Sequence, residues 1–339
     1  GSFNNHIGCP ITIMNLSEEH EVLALEMGTS GLGEIELLTS IAPADIAVLL
    51  NVGHAHLGKL GSLDATYRAK LEIFSHRKTH SIGLVPFNDE KLRGLLPKGA
   101  YKYFGNEAPD FSYQTISVDP IRRTQKLEFN SPYGLKSITV NRLGDFVGVL
   151  LSAVLGIVYH LGLTWEQIEE NLACLPSEKG RSTFLKGQNN SLVLDDTYNA
   201  NPQSVVEMLK TICQLKYEKT IGIIGNLAEL EEGLDESAGY IIRNLPKGLT
   251  GLVLTGETGA ILKNKIEEQH PELEIWNLDS PGQVISHMKS ILGPNMVVGV
   301  KGSRTSHMER VVYALKGESV SCDLSRCGKL FACVECDQL

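Results

Sequence analysis

Short apolar runs alternate along most of this chain with stretches whose apolar positions recur at helical spacing. That alternation is the signature of an α/β fold with a largely parallel sheet. Apolar runs predict early strands over 21–26 and 45–51, and a helix follows over 63–75. Five short alternating runs come next, over 81–85, 101–104, 113–118, 126–129 and 136–140. They are punctuated by Pro-Lys-Gly, Asn-Ser-Pro and Tyr-Gly turn signals, so this stretch reads as β-rich. Helices are predicted over 145–160 and 164–175, the second opened by Thr164 and Gln167 at the spacing of a capping box.

The segment Pro176-Ser-Glu-Lys-Gly180 is polar, holds both Pro and Gly, and separates two self-contained patterns. After it, strands are predicted over 191–194, 220–225, 251–255, 274–276 and 296–300. Helices are predicted over 202–215, 235–244, 258–269, 281–292 and 306–315. That is a Rossmann-like order with ordinary connection lengths. The expected domains are therefore 1–177 and 178–317, with a cysteine-rich tail over 318–339.

Composition adds little to this picture. Apolar residues make up 42% and charged residues 21% of the 339, as in ordinary globular proteins. A net charge of −9 argues against a general nucleic-acid binder, which needs a basic face. No apolar run approaches the roughly 18 residues that would span a bilayer, and the first residues lack the charged and apolar regions of a signal peptide. Residue 1 is Gly rather than Met, which is read as an upstream portion missing from a cytoplasmic enzyme.

Cys9, Cys174 and Cys213 are scattered and read as reduced thiols, a type often buried. Cys322, Cys327, Cys333 and Cys336 crowd the tail as C-x4-C-x5-C-x2-C. A single C-x2-C arm is a weak zinc signal, and the favoured reading is a frayed tail with free thiols.

In open α/β sheets ligands sit beyond the carboxyl ends of the strands, so those positions are where chemistry is sought. Glu26-Met27-Gly28 places a carboxylate there beside a small residue, either an oxygen ligand for a hard cation such as Mg²⁺ or a solvated strand-end Glu. Asn51-Val52-Gly53-His54-Ala55-His56 offers an amide and two imidazoles for metal or nucleotide. On the following helix Lys70 is spaced to share a face with Tyr67, Ile73 and Phe74. It either snorkels or is buried with a lowered pKa and reacts as a neutral amine. In Asp195-Asp196-Thr197-Tyr198-Asn199-Ala200-Asn201-Pro202, Asn201 suits a helix cap and Pro202 a first helical position. The two Asp and Asn199 are left without a structural duty. In Lys301-Gly302-Ser303-Arg304-Thr305-Ser306-His307-Met308-Glu309, Ser306 and Glu309 have capping-box spacing. Lys301 and Arg304 lie beside a helix N-terminus, an arrangement that attracts an anion.

Taken in order, these pieces resemble a known family. Asn4-Asn5-x-x-Gly8-x-Pro10, Glu26-x-Gly28, Asn51-Val-Gly-x-x-His56, Arg68-Ala-Lys70-x-Glu72-Ile73, the Asp195–Pro202 run and Lys301-Gly-Ser-Arg304-x-x-x-Met-Glu309 occur in the sequence of Mur ligases. The Asn-Ala-Asn-Pro and Lys-Gly-Ser-Arg pieces point to the MurF branch, and the likeness runs to about Gly317.

The resemblance implies a P-loop-type central α/β domain followed by a Rossmann-like domain. It implies a monomeric, cytoplasmic ATP-dependent ligase that joins D-alanyl-D-alanine to UDP-N-acetylmuramoyl-tripeptide through an acyl phosphate. Carried over by motif, Glu26 would ligate one Mg²⁺, and His56 and a carbamylated Lys70 a second. Arg181, with Asn51, Asp196 and Asn199, would face ATP. Asn5, Lys301, Ser303 and Arg304 would lie toward the substrates. His56, Lys70 and Arg181 would be the catalytic set.

Three departures qualify this. No G-x-x-x-x-G-K-[ST] loop occurs in the 339 residues, whereas the family has one just upstream of this stretch, together with a further N-terminal domain. The chain is therefore expected to be a partial enzyme, inactive alone. The family's His-Asn-x-x-Asn run reads Gly144-Asp-Phe-Val-Gly-Val149, and Gly-Asp-Met-x-Glu-Leu reads Gly225-Asn226-Leu-Ala-Glu-Leu230. A folylpolyglutamate-synthase-like ligase and a non-catalytic binding protein derived from a Mur ligase are the rival readings. Competing folate and muramyl substrates would separate the first, and indifference to Lys70→Ala would single out the second.

Overall fold

In the computed structural model the chain divides into two units, residues 1–118 with 124–174, and 175–339 with 119–123. The structure describes residues 3–53, 60–97, 99–227, 234–324, 327, 329 and 333–336.

The first unit holds a six-stranded sheet in the order β1-β2-β3-β4-β5-β6. Its strands are β1 Ala44–Val48, β2 Arg77–Pro86, β3 Lys102–Asn106, β4 Phe111–Asp119, β5 Thr124–Ser131 and β6 Gly134–Val140. β1 through β4 pair in parallel and β5 with β6 antiparallel. The helices are α1 Gly8–Met14, α2 Glu34–Ile41, α3 Leu63–Leu71, α4 Glu90–Leu95, α5 Asp145–His160 and α6 Trp165–Ala173. α5 buries Val147, Leu151 and Leu155 against the sheet. Its first turn is shaped by Tyr113, whose hydroxyl donates to the Asp145 carbonyl at 3.1 Å. A Cβ at Gly148 would lie 2.1 Å from that ring, so the departure at 144–149 is a site where an aromatic ring fills the space of a side chain. The Thr164–Gln167 capping box is present, with the Thr164 N–H donating to Gln167 Oε1 at 2.7 Å.

One predicted strand is absent. Residues 21–29 join no ladder among the described residues. Gly28 N–H donates to the Asn4 carbonyl at 2.8 Å, and Val22 is left 58% exposed. An apolar run becomes a strand only where a neighbour supplies the ladder. Here β1, at the sheet's edge, pairs with β2 instead.

The second unit holds a sheet in the order β11-β10-β9-β12-β8-β7. Its strands are β7 Thr183–Lys186, β8 Leu192–Asp196, β9 Lys219–Ile224, β10 Gly251–Thr255, β11 Glu274–Leu278 and β12 Met296–Lys301. All pair in parallel except β7, which runs antiparallel to β8. The helices are α7 Pro202–Cys213, α8 Leu234–Arg243, α9 Gly256–Gln269, α10 Pro281–Ile291 and α11 Glu309–Lys316. β12 is buried at every position, as a central strand covered on both faces must be. Asn201 caps α7, accepting from Ser204 N–H at 2.8 Å, and Pro202 opens it.

The Ser306–Glu309 capping box does not form. His307 takes a left-handed backbone conformation (φ 48°, ψ 46°) and separates Ser306 from the helix. The Ser306 hydroxyl donates to the Ser303 carbonyl at 2.7 Å instead. The described part of the tail is docked rather than frayed. Arg310, 1% exposed, donates to the Cys322 and Leu324 carbonyls, and Asp323 accepts from Gly282 N–H at the start of α10 at 2.6 Å.

Candidate functional site

The candidate residues gather in two clusters, one in each unit. In the first unit the cluster lies where the 21–29 segment meets α1 and α3. Asn5 Oδ1 accepts from the N–H groups of Ile7 and Gly8 at 3.1 and 2.8 Å, so its carboxamide shapes the turn into α1. Asn4 Nδ2 donates to Glu26 Oε1 at 2.9 Å and orients that carboxylate. Gly28 makes this possible: a Cβ there would sit 2.8 Å from Asn4 Nδ2. Cys9, buried, donates its thiol to the Glu26 carbonyl at 3.5 Å, and burial pushes that thiol up.

Lys70 lies on α3, which Ser62 caps by accepting from Ala65 N–H at 3.1 Å. Its side chain is largely enclosed. Burial pushes the Lys70 ammonium below the ordinary lysine range, and the Glu26 charge acts in the opposite sense. Two carboxylates that sequence reasoning left without roles hold the segment leading into α2. Glu72 accepts from the N–H groups of Gly33 and Glu36 at 2.7 and 3.2 Å, holding the first turn of α2. Glu34 accepts from Ser30 N–H at 2.7 Å, a bond that holds its carboxyl below the ordinary range. Asn51 is exposed just beyond β1. His56 lies outside the described residues.

These groups suit a hard divalent cation. An oriented, exposed carboxylate stands near an amine whose charged form is disfavoured, and a carbamate on that amine would add oxygen donors in place of a positive charge.

In the second unit the cluster sits at the carboxyl ends of β8, β12 and β9, where the strand order switches direction. This is the usual place for a ligand in an open sheet. The ladder aligns Lys301 with Asp196 on one side and Ile224 on the other. Lys301, 3% exposed, donates to Asp196 Oδ2 at 2.5 Å. Burial pushes its ammonium down while the Asp196 charge opposes that shift. Asp196 Oδ1 also accepts from the N–H and hydroxyl of Ser182, at 3.0 and 3.2 Å. Asp195, buried, accepts from the Thr197 hydroxyl at 2.7 Å and from Gly180 N–H at 3.2 Å. Burial outweighs these bonds and raises its carboxyl.

Ser303 is 1% exposed, its N–H donating to the Asn226 carbonyl at 2.8 Å. Asn226 therefore belongs to the same strand-end crevice. Lys301 and Ser303 are enclosed, whereas Arg181 and Asn199 reach the surface and Arg304 is half-buried. Tyr198 joins the two arginines, with the Arg181 guanidinium 4.0 Å from its ring centroid and that of Arg304 at 5.6 Å. Tyr198 was named in the sequence motif without a role. An aromatic ring that positions two guanidinium groups at a strand-end crevice is suited to holding an anion. Asn199 accepts from Ala200 N–H at 2.9 Å.

The Mur ligase middle domain matches residues 1–155, and the Mur ligase glutamate ligase domain matches residues 180–304. The UDP-N-acetylmuramoyl-tripeptide--D-alanyl-D-alanine ligase of Bacillus subtilis is 26% identical over 321 residues, covering 92% of this chain and 68% of that protein. A crystal structure of MurF from Acinetobacter baumannii aligns with a TM-score of 0.83 at 25% identity, over 94% of this chain and 70% of that one. MurF ligase from Thermotoga maritima, solved in complex with ADP, aligns with a TM-score of 0.81 at 27% identity, over 94% and 72%.

Proposed function

We propose that this chain, which belongs to the Mur ligase family, carries out the amide-forming step that extends a peptidoglycan precursor, joining D-alanyl-D-alanine to UDP-N-acetylmuramoyl-tripeptide at the expense of ATP in the cytoplasm. The observation that carries this reading is the enclosed Lys70 beside the Asn4-oriented Glu26, in a chain whose relatives bear that activity in their names. The ADP complex of the T. maritima neighbour supports ATP as the nucleotide.

In the proposed reaction a carboxylate oxygen of the tripeptide attacks the γ-phosphorus of ATP, and the bond to ADP breaks. The amine of the dipeptide then attacks the carbonyl carbon of the acyl phosphate and expels inorganic phosphate, the amine proton passing to solvent. Glu26, a carbamylated Lys70 and His56 would hold Mg²⁺, which supplies charge neutralisation for phosphoryl transfer. The carbamate arises when the neutral Lys70 amine attacks carbon dioxide, forming an N–C bond and releasing one proton. Burial favours that neutral amine. Arg181 and Arg304, set against Tyr198, are assigned to anionic groups of nucleotide and substrate, with Asn51, Asp196 and Asn199 on the nucleotide side. Lys301 and Ser303 fix the strand-end loop from within, and Asn5 fixes the turn at α1 that faces the sugar nucleotide. We propose the domain boundary at 177/178, three residues beyond the 174/175 division between the two units.

The phosphates of ATP need a cradle of backbone N–H groups, and no phosphate-loop motif occurs in these 339 residues. The test is therefore phosphate release by the chain preceded by a family phosphate-loop segment, with ATP, Mg²⁺, the muramyl tripeptide and D-alanyl-D-alanine. Turnover that requires the dipeptide and is lost in Lys70→Ala supports the proposal. Binding of ATP without turnover would move the chain to a non-catalytic role, and turnover by the 339 residues alone would overturn the assignment of the phosphate cradle.

A further inference from the structure

We propose that His307, Glu309 and Cys333 form a site for a thiophilic divalent cation, zinc in the first instance, which fastens the cysteine-rich tail to the start of α11. His307 and Glu309 are two residues apart at the start of α11, Cys333 lies 26 residues beyond His307, and the three ligand atoms all lie within 4.8 Å of one another. All three residues are more than nine-tenths buried.

Donor accounting shows why a cation belongs there. His307 Nε2 lies 2.9 Å from the Lys329 carbonyl, which can only accept. The ring proton is thereby placed on Nε2, and Nδ1 presents its lone pair. That lone pair faces Glu309 Oε1 at 3.2 Å and Cys333 Sγ at 3.4 Å. Glu309 Oε1 accepts from the Cys333 backbone N–H at 3.2 Å, and the Cys333 thiol faces the Nδ1 lone pair. Glu309 Oε2 is buried with no hydrogen-bond partner among the described residues. A buried carboxylate with an unsatisfied oxygen is costly, and a cation bound through Oε1 would offset the charge of the group.

The spacing fits. Zinc bond lengths of about 2.0–2.1 Å to nitrogen or oxygen and about 2.3 Å to sulfur set tetrahedral ligand separations of about 3.3 Å for N···O and about 3.5 Å for N···S. The observed 3.2 Å from Nδ1 to Glu309 Oε1 and 3.4 Å from Nδ1 to Cys333 Sγ match these, with all three ligand atoms inside 4.8 Å. The charges also balance: one dication with a thiolate, a carboxylate and a neutral imidazole is neutral, as a buried site requires. Loading breaks the Cys333 S–H bond, forms a metal–sulfur bond and releases one proton to solvent.

The neighbouring Arg310 cation is already engaged by the carbonyls of Ser306, His307, Cys322 and Leu324. A water would complete the tetrahedral fourth position. The site lies just after the Lys301–Arg304 loop, so the metal would hold that loop's exit as well as the tail.

The test uses the full chain, stripped with a chelator and titrated with Co²⁺ alone, then with Zn²⁺. One equivalent of Co²⁺ should give the near-ultraviolet absorption of a cobalt–thiolate bond, and Zn²⁺ should bleach it. Cys333→Ser should remove the band, and His307→Ala should weaken binding by at least about tenfold. Cys174→Ser should leave both unchanged. X-ray absorption of the zinc-loaded wild-type protein, which no variant's misfolding can affect, should show mixed sulfur and nitrogen or oxygen ligation. Absence of a thiolate band, its survival in Cys333→Ser, its loss in Cys9→Ser, or a zinc shell without sulfur would overturn the proposal.

Discussion

At the residue scale, the side chains that matter are those whose burial conflicts with their charge. Lys301 is nearly inaccessible, and Asp196 compensates it at 2.5 Å. Removing one member of such a pair strands the other, at a cost of about 3–5 kcal/mol. Lys301→Ala should therefore lose stability on that scale in denaturant unfolding, and a loss of only a few tenths would show that Ser182 alone satisfies Asp196. Asp195 carries the opposite problem. Its folded carboxyl titrates above its ordinary 3.8, so the folded state holds the proton to higher pH than the unfolded state does. Stability is then lost as pH rises from 3.8 through the raised folded value. Asp195→Asn cannot ionise, and unfolding measured across that window should show a flatter pH dependence than wild type. Lys70 is pushed down rather than up, which favours carbamate formation. With ¹³C-bicarbonate, the wild-type protein should give a carbamate carbon resonance that is missing in Lys70→Ala. An identical spectrum from the variant would remove Lys70 from the proposed metal site.

At the scale of elements, what the sequence made legible follows from burial. β9, β10 and β12 are covered on both faces, so they read as unbroken apolar runs. α5 and α6 announce themselves by length and by the Thr164–Gln167 box. Thr164→Ala should cost about 0.5–2 kcal/mol of stability, read in chemical denaturation, and an unchanged midpoint would mean that the cap is replaced by solvent. The strand predicted over 21–26 misled because its apolar run is real but a ladder partner is not a local property. α1, α2 and α4 are short and lack a long amphipathic repeat, so nothing in their periodicity marked them. The helix start at 309 was misplaced because Ser306 and Glu309 have capping spacing, while the left-handed turn at His307 diverts both side chains to other partners.

At the scale of the whole chain, strand-end positions picked out candidate residues in the second unit without showing how they combine. Asp196 and Lys301 could be picked as strand ends, but their pairing depends on β12 inserting between β8 and β9. Glu26 and Lys70 likewise meet only through the fold. His307 and Cys333 lie 26 residues apart, in no spacing that marks a metal motif, which is why the tail read as loose. If the tail is fastened by metal, adding zinc to the stripped chain should raise its melting temperature, and an unchanged melting temperature would speak against a stabilising site. The central claim concerns a reaction, and it has a direct atomic signature. The chain, preceded by a phosphate-loop segment, would be given ATP, Mg²⁺, D-alanyl-D-alanine and muramyl tripeptide labelled with ¹⁸O in its terminal carboxylate. Passage through an acyl phosphate transfers one labelled oxygen to the inorganic phosphate for each amide formed. Phosphate carrying one ¹⁸O, in step with product, is the expected result, and unlabelled phosphate or none would contradict it.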